Sequence, residues 1–458
     1  MAELHDLDAT DLAAVITRRE ASAVEVTRHF LARIEGESLG AFVTVTPERA
    51  LEQAARWDAV EVTARPPFAG VPTAFKDLTS TAGVRTTMGS VLLAENVPDH
   101  NAHVVDLVEA AGFVSLGKTN TPEFGLSSYT DNDLVGPARC PADPARNAGG
   151  SSGGAAAAVG ARLLPLAPGS DGGGSIRIPA SCCGVIGLKP SRGRVSAGPD
   201  APMWNGLATD GVLTRTVRDA AAVLDVLARP VPGSSRVWPA PATPFLDVVG
   251  RDPGPLRIAT WTSPYLDFAT TCDTSVAAVE AARTLLAGLG HEVVEIDNPW
   301  PATLEPQFNV VWSAGMAALP LPAEALGLIR QNSRYWYERG GRASAPELAA
   351  AMAFLELTTN AVNASLSSFD LFLTPTLALP PQPHAWFTES GDPAEDHRRE
   401  LLFTPFTALM NMSGQPAVSL PLHHDASGLP VGVMLAAHVG ADALLLRVAE
   451  QVSATARS

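Results

Sequence analysis

Gly149-Gly150-Ser151-Ser152-Gly153-Gly154-Ala155-Ala156-Ala157-Ala158-Val159 is the stretch on which the reading of this chain turns. A Gly/Ser hexapeptide taken alone reads as a flexible linker. The alanine run behind it argues otherwise, because it reads as a buried helix that starts on the loop. A second run follows at Ser170-Asp171-Gly172-Gly173-Gly174-Ser175-Ile176-Arg177. Glycine lets a backbone turn sharply and approach another group, at an entropic cost. Two such runs in a folded chain set exposed serine hydroxyls beside bare N–H groups. That is the layout of nucleophilic acyl transfer, with an oxygen to attack and amides to hold the oxyanion. Ser175, just ahead of Ile176-Arg177-Ile178-Pro179, is also expected to cap a helix and gain from its dipole.

The serine needs a base. None of the ten histidines falls between residues 104 and 290, where both runs sit, although a histidine could reach them through the fold. Lysine usage says more. Of 32 basic residues only Lys76, Lys118 and Lys189 are lysine. Arginine stays protonated in proteins, whereas a desolvated lysine can lose its proton near neutral pH. Each lysine is therefore a candidate for work that arginine cannot do. Lys76 ends Gly70-Val71-Pro72-Thr73-Ala74-Phe75-Lys76-Asp77, whose apolar residues would bury its stem.

Gly-Val-Pro-x-x-x-Lys-Asp, Gly-Gly-Ser-Ser-Gly-Gly and Gly-Gly-Ser-Ile-Arg-x-Pro, in this order and spacing, resemble the amidase signature family of serine hydrolases. Lys76 and Ser151 stand 75 residues apart, Ser151 and Ser175 24. The likeness runs from about Leu12 to the C-terminus and is densest from Phe68 to Leu227. It returns at Asp370–Thr376 and at Gly414-Gln415-Pro416-Ala417. Ile178-Pro179-Ala180-Ser181, Lys189–Arg194 and Gly428–Gly432 look most like the branch that hydrolyses cyclic nylon-oligomer amides. The resemblance implies a Ser-cisSer-Lys triad: Ser175 as nucleophile, Ser151 as proton relay behind a cis Gly150–Ser151 bond, and Lys76 as base. It implies an oxyanion hole from the N–H groups of Gly172, Gly173, Gly174 and Ser175. Ser152, Asp171 and Arg177 match positions that hold the loop and triad in place. Gly172 departs from the pattern, since the family more often has a residue with a β-carbon there. Three glycines in a row imply a floppier loop or room for a bulkier acyl group.

Other motifs carry less. Gly112-Phe113-Val114-Ser115-Leu116-Gly117-Lys118-Thr119 matches the P-loop expression. A true P-loop runs strand, loop, helix; here a helical stretch, Val104–Ala111, precedes Gly112, and Phe113–Leu116 reads as a strand. Cys140, Cys182, Cys183 and Cys272 lack metal-ligand spacing and read as small buried hydrophobes.

The fold expected is α/β, with the family's large mixed twisted β-sheet flanked by helices on both faces. It forms a single domain over 1–458: an N-terminal helical cap (1–60), a signature core with the triad (61–230), a variable substrate-pocket region (231–405) and a C-terminal core return (406–458). Residues 8–35 and 47–60 read as amphipathic helices, and Phe68–Lys76 as a strand. Pro230–Pro255 reads as a surface crossing. Residues 256–296 read as strand (Leu256–Thr260), helix (Ser275–Leu289) and strand (Glu292–Ile296). The aromatic-rich 300–405 stretch is expected to line an apolar channel, with Gly340-Gly341 and Pro380–Asp392 as mobile entrance loops.

A net charge of −16 argues against nucleic-acid or anionic-membrane partners. The N-terminus shows no signal peptide, no run approaches a membrane span, and four unpatterned cysteines fit a cytoplasmic protein. The expectation is an amide C–N hydrolase for small, largely apolar amides, with carbamates, urethanes and esters in reach. It would need no metal and no cofactor, and act as a monomer or homodimer. The alternatives are the amidase subunit of a glutamine amidotransferase, working with partner proteins, and a non-catalytic binding protein on the same scaffold.

Overall fold

Strand Pro430–Ala437 is buried along its whole length, and its side chains show why. Val433, Leu435 and Ala437 enter one hydrophobic cluster, Met434 and Ala436 a second. Leu371 and Leu373 divide from Phe372 in the same way. Alternate residues of a strand face opposite sides of the sheet, so both faces here are covered and the strands read as continuous apolar runs.

The computed structural model describes residues 3–200, 203–234 and 238–457. Its eight-stranded sheet runs, edge to edge, Glu292–Glu295, Arg257–Thr260, Leu371–Pro375, Pro430–Ala437, Ala417–His424, Ile186–Lys189, Thr209–Thr214 and Leu166–Asp171. The first two pairings are parallel and the other five antiparallel. Helices Val217–Leu227, Asp273–Gly288 and Asp442–Arg457 cover one face. Helices Leu304–Ala317, Gln331–Gly341 and Ala345–Ser365 cover the other. This is the mixed α/β architecture expected. A three-stranded sheet, Phe42–Val45, Val114–Thr119 and Pro72–Lys76, stands at its end. Thr73 Oγ1 donates to the Leu166 carbonyl at 3.3 Å, which sets the strand bearing Lys76 beside Leu166–Asp171.

Local boundaries differ where a polar signal competes with the apolar period. The helix read over 8–35 is two helices, Ala9–Thr17 and Ala23–Glu35. Arg19 between them has φ 59°, and Ser22 with Glu25 forms a capping box that starts the second. The segment 47–60 is helix Pro47–Ala59. The strand read over Phe68–Lys76 begins at Pro72, and that read over Phe113–Leu116 runs Val114–Thr119. Residues 256–296 form Arg257–Thr260, Asp273–Gly288 and Glu292–Glu295. Pro230–Pro255 carries one short helix, Phe245–Val248; its residues 235–237 lie outside the described residues.

Gly340-Gly341 is no loop but the last turn of helix Gln331–Gly341. A β-carbon on Gly340 would lie 1.9 Å from the Ser313 carbonyl oxygen, so this glycine serves close helix packing. In the P-loop look-alike, Lys118 sits within a strand. Its Nζ donates to the Thr79 carbonyl and, at 3.0 Å each, to the hydroxyls of Thr81 and Thr86.

Candidate active site

Lys76 is the last residue of strand Pro72–Lys76, and its side chain is buried. Nζ donates to Ser151 Oγ at 2.8 Å, to Ser170 Oγ at 3.1 Å and to the Ser170 carbonyl at 3.3 Å. Burial pushes the ammonium down to about 7, and the carboxylates of Asp171 and Asp210 oppose that shift. A lysine so placed exchanges its proton near neutral pH, with a serine hydroxyl in hydrogen-bond contact.

Ser151 lies between strand Asp143–Asn147 and helix Gly153–Gly160, behind a cis Gly150–Ser151 bond. Gly150 passes hard against Tyr129: a β-carbon would meet Tyr129 backbone atoms at 2.6 Å. The two serine loops are joined by the Ser152 N–H, which donates to the Ser175 carbonyl at 3.1 Å. Ser152 is fully buried, with its hydroxyl 3.4 Å from the Ser170 carbonyl.

Ser175 precedes helix Arg177–Cys183 but does not cap it. Ile176 holds the cap position and no side chain bonds the first turn. The Ser175 hydroxyl is thereby spared, and the residue lines a cavity of about 70 Å³ with Gly173. The loop before it is clamped from several sides. Asp171 accepts from the Gly174 N–H at 2.8 Å and the Ile176 N–H at 3.2 Å. Arg177 grips the same carboxylate with Nε at 2.9 Å and Nη2 at 2.8 Å, both side chains fully enclosed. Burial works against the Asp171 charge, but Arg177 holds its carboxyl well below the usual range. Thr407 Oγ1 donates to the Gly173 carbonyl at 2.7 Å, and Asn411 Nδ2 to the Asp171 carbonyl at 2.7 Å.

These clamps revise the oxyanion-hole expectation at Gly174. Its N–H is spent on Asp171, so it is not free to meet an oxyanion. Among the described residues the N–H groups of Gly172, Gly173 and Ser175 have no protein acceptor, and these three remain open to that role. The space left by the missing β-carbon of Gly172 is taken by protein. A β-carbon there would lie 3.1 Å from Trp312, which stacks on Trp204 at 4.3 Å between ring centroids. The tripled glycine thus admits an indole to the loop, and Trp312 in turn lines the cavity.

Four contributors had no role assigned from the sequence: Ser170, Asp210, Thr407 and Asn411. Ser170 was visible beside Asp171; the others are single polar residues brought in from a distant strand (Asp210), a turn (Thr407) and a short helix (Asn411). Of the aromatic residues in 300–405, Phe308, Trp312 and Trp336 reach the cavity, while Phe354 is exposed.

The amidase family profile matches residues 25–446. A putative amidase of Synechocystis sp. is 35% identical, over 97% of this chain and 88% of that protein. The chain belongs to the amidase signature family. A second member, the 6-aminohexanoate-cyclic-dimer hydrolase of Paenarthrobacter ureafaciens, is 34% identical over 97% of this chain and 94% of that one. The structure of a 6-aminohexanoate cyclic dimer hydrolase with substrate superposes with a TM-score of 0.91, at 31% identity, covering all of this chain and 98% of the other. As an amidase signature enzyme the protein is a hydrolase of amides, acting on carbon–nitrogen bonds other than peptide bonds. Among its described residues no helix is long and apolar enough to cross a membrane.

Proposed function

We propose that the protein hydrolyses small, largely apolar amides through an acyl-enzyme on Ser175. Ser175 Oγ attacks the carbonyl carbon while its proton passes to Ser151, whose own proton passes to neutral Lys76. The N–H groups of Gly172, Gly173 and Ser175 receive the oxyanion; losing one such donor typically costs about 3–4 kcal/mol of barrier. The relay then runs in reverse, giving a proton to the leaving nitrogen as the carbon–nitrogen bond breaks. Water, deprotonated by the same route, attacks the acyl carbon and frees Ser175. The observation that carries this reading is the 2.8 Å contact between Ser151 and a lysine held at about 7. Carbamates and activated esters present the same carbonyl and fall within the same chemistry.

The test is mass spectrometry of wild type and Ser175→Ala after exposure to a fluorophosphonate, with turnover of anilides, carbamates and esters. A single adduct on Ser175, absent with all turnover in the variant, supports the reading. Turnover that survives in Ser175→Ala overturns it.

A further inference from the structure

The cavity beside Ser175 is walled by Leu126, Ile178, Phe308, Trp312, Trp336 and Leu401, yet a carboxyl group stands among them. Glu400 is buried. Its Oε2 accepts the Ser128 N–H at 2.6 Å and the Ser128 hydroxyl stands close by, while among the described residues Oε1 makes no hydrogen bond of good geometry and the carboxyl no ion pair. Burial pushes the group up to about 7, the Ser128 N–H and hydroxyl opposing it and the nearby Asp396 adding to it. A buried carboxyl without a cationic partner is costly, and such groups cluster where function keeps them. Glu400 has no place in the proposed proton relay, which runs through Ser151 and Lys76.

The neighbours add to the polarity without satisfying it. His397, one helical turn before Glu400 in Pro393–Phe403, stands edge-on to Trp336 at 4.7 Å and also lines the cavity. Burial, with the charge of Arg339 behind it, pushes this imidazole down to about 3, so it is neutral and supplies no countercharge. Tyr265, Ser127, Ser128 and Thr404 supply the rest of the polar lining beside Ser175. The cavity therefore offers aromatic surface along its length and one carboxyl oxygen that awaits a donor.

We propose that Glu400 selects the acyl chain, its Oε1 accepting a hydrogen bond from an N–H group carried by an otherwise apolar acyl portion. The ligand class is an amide whose acyl chain bears an amine or a secondary amide. This rests on the cavity being the acyl site of the Ser175 enzyme. The aromatic walls take the methylene or aryl body of the chain by area burial. The N–H supplies the missing partner of the carboxyl, and an acyl group of equal length ending in methyl leaves that oxygen desolvated and unpaired. Sites built to bond a substrate N–H discriminate strongly against analogues lacking it, for this reason.

The experiment compares kcat/KM for anilides of equal chain length whose acyl ends are methyl, amino or acetamido, in wild type, Glu400→Leu and Glu400→Gln. Wild type is expected to favour the two N–H-bearing chains by about tenfold or more over methyl, the scale of one hydrogen bond to a charged group. Glu400→Leu should erase that ratio. Glu400→Gln, which keeps a carbonyl acceptor for Ser128, should retain part of the acetamido preference and lose the amino one. Fluorophosphonate labelling of Ser175 in all three proteins reports separately on the catalytic centre. Labelling with no chain-end preference in wild type, or a preference unchanged in both variants, overturns the role of Glu400. Absence of labelling and turnover in wild type overturns the function beneath it.

Discussion

Ser170 stands directly across from Asp210 on the antiparallel strands Leu166–Asp171 and Thr209–Thr214. Ser170 accepts two hydrogen bonds from Lys76, so Asp210 sits beside the anchor of the lysine and behind the catalytic loops. Burial pushes the Asp210 carboxyl up to about 6, with Lys76 pulling the other way. Asp210 also lines a second small cavity with Ser170, away from Ser175.

Asp210→Asn should therefore move the acid limb of activity. Asp171 and Asp210 are the charges that hold the Lys76 value up. Removing one makes the lysine easier to deprotonate, so the rise of kcat/KM with pH shifts to lower pH. A pH–rate profile with the limb unmoved would mean that Asp210 is uncharged in the working enzyme.

Lys76→Arg tests the base directly. Arginine retains the positive charge but cannot give up its proton, and turnover should fall about 10²–10⁴-fold, the usual contribution of a general base. Lys76→Met should fall comparably. Steady-state kinetics with both variants, their fold checked by circular dichroism, decides the matter; Arg at near wild-type rate would remove Lys76 from the relay.

Arg177→Met should destabilise by about 3–5 kcal/mol, because it strands the fully enclosed Asp171 carboxylate. The sign with pH follows from the depressed Asp171 value. The pair's contribution is present above the unfolded carboxyl value of 3.8 and is lost as pH falls toward the folded value. Urea denaturation at neutral pH should show the full difference, and the gap should narrow on acidification.

Gly340→Ala should cost about 1–3 kcal/mol by overpacking, since its β-carbon would meet the Ser313 carbonyl at 1.9 Å. Gly341→Ala, the next residue of the helix with open space around it, should not. Thermal melts of the two variants side by side check the contrast.

What was legible in the sequence was local. Scarcity singled out Lys76, and clustering singled out Ser151, Asp171 and Ser175, because glycine-rich turns and unusual lysines are visible without a fold. The break after Thr17 was also written there, in Ser22-x-x-Glu25, but the apolar period across 8–35 outweighed it. Asp210, Thr407 and Asn411 carry no local pattern, and only strand register and the packing of a distant turn bring them to the loop. The hold of Asp171 on the Gly174 N–H depends on the direction of one bond, which no pattern of residue types encodes. Glu400 ends the charged run Glu395-Asp396-His397-Arg398-Arg399-Glu400, in which nothing local marks it for burial; its neighbours in the cavity are the aromatic walls of a different segment.

All three lysines are inside the fold, none more than 1% exposed. An amine-directed reagent therefore meets no lysine on the native surface. Acylation at Lys76, Lys118 or Lys189 becomes a clock for local opening, each residue timing a different part of the molecule. It also means that immobilisation or dye labelling through lysine would select unfolded material and discard the enzyme that works.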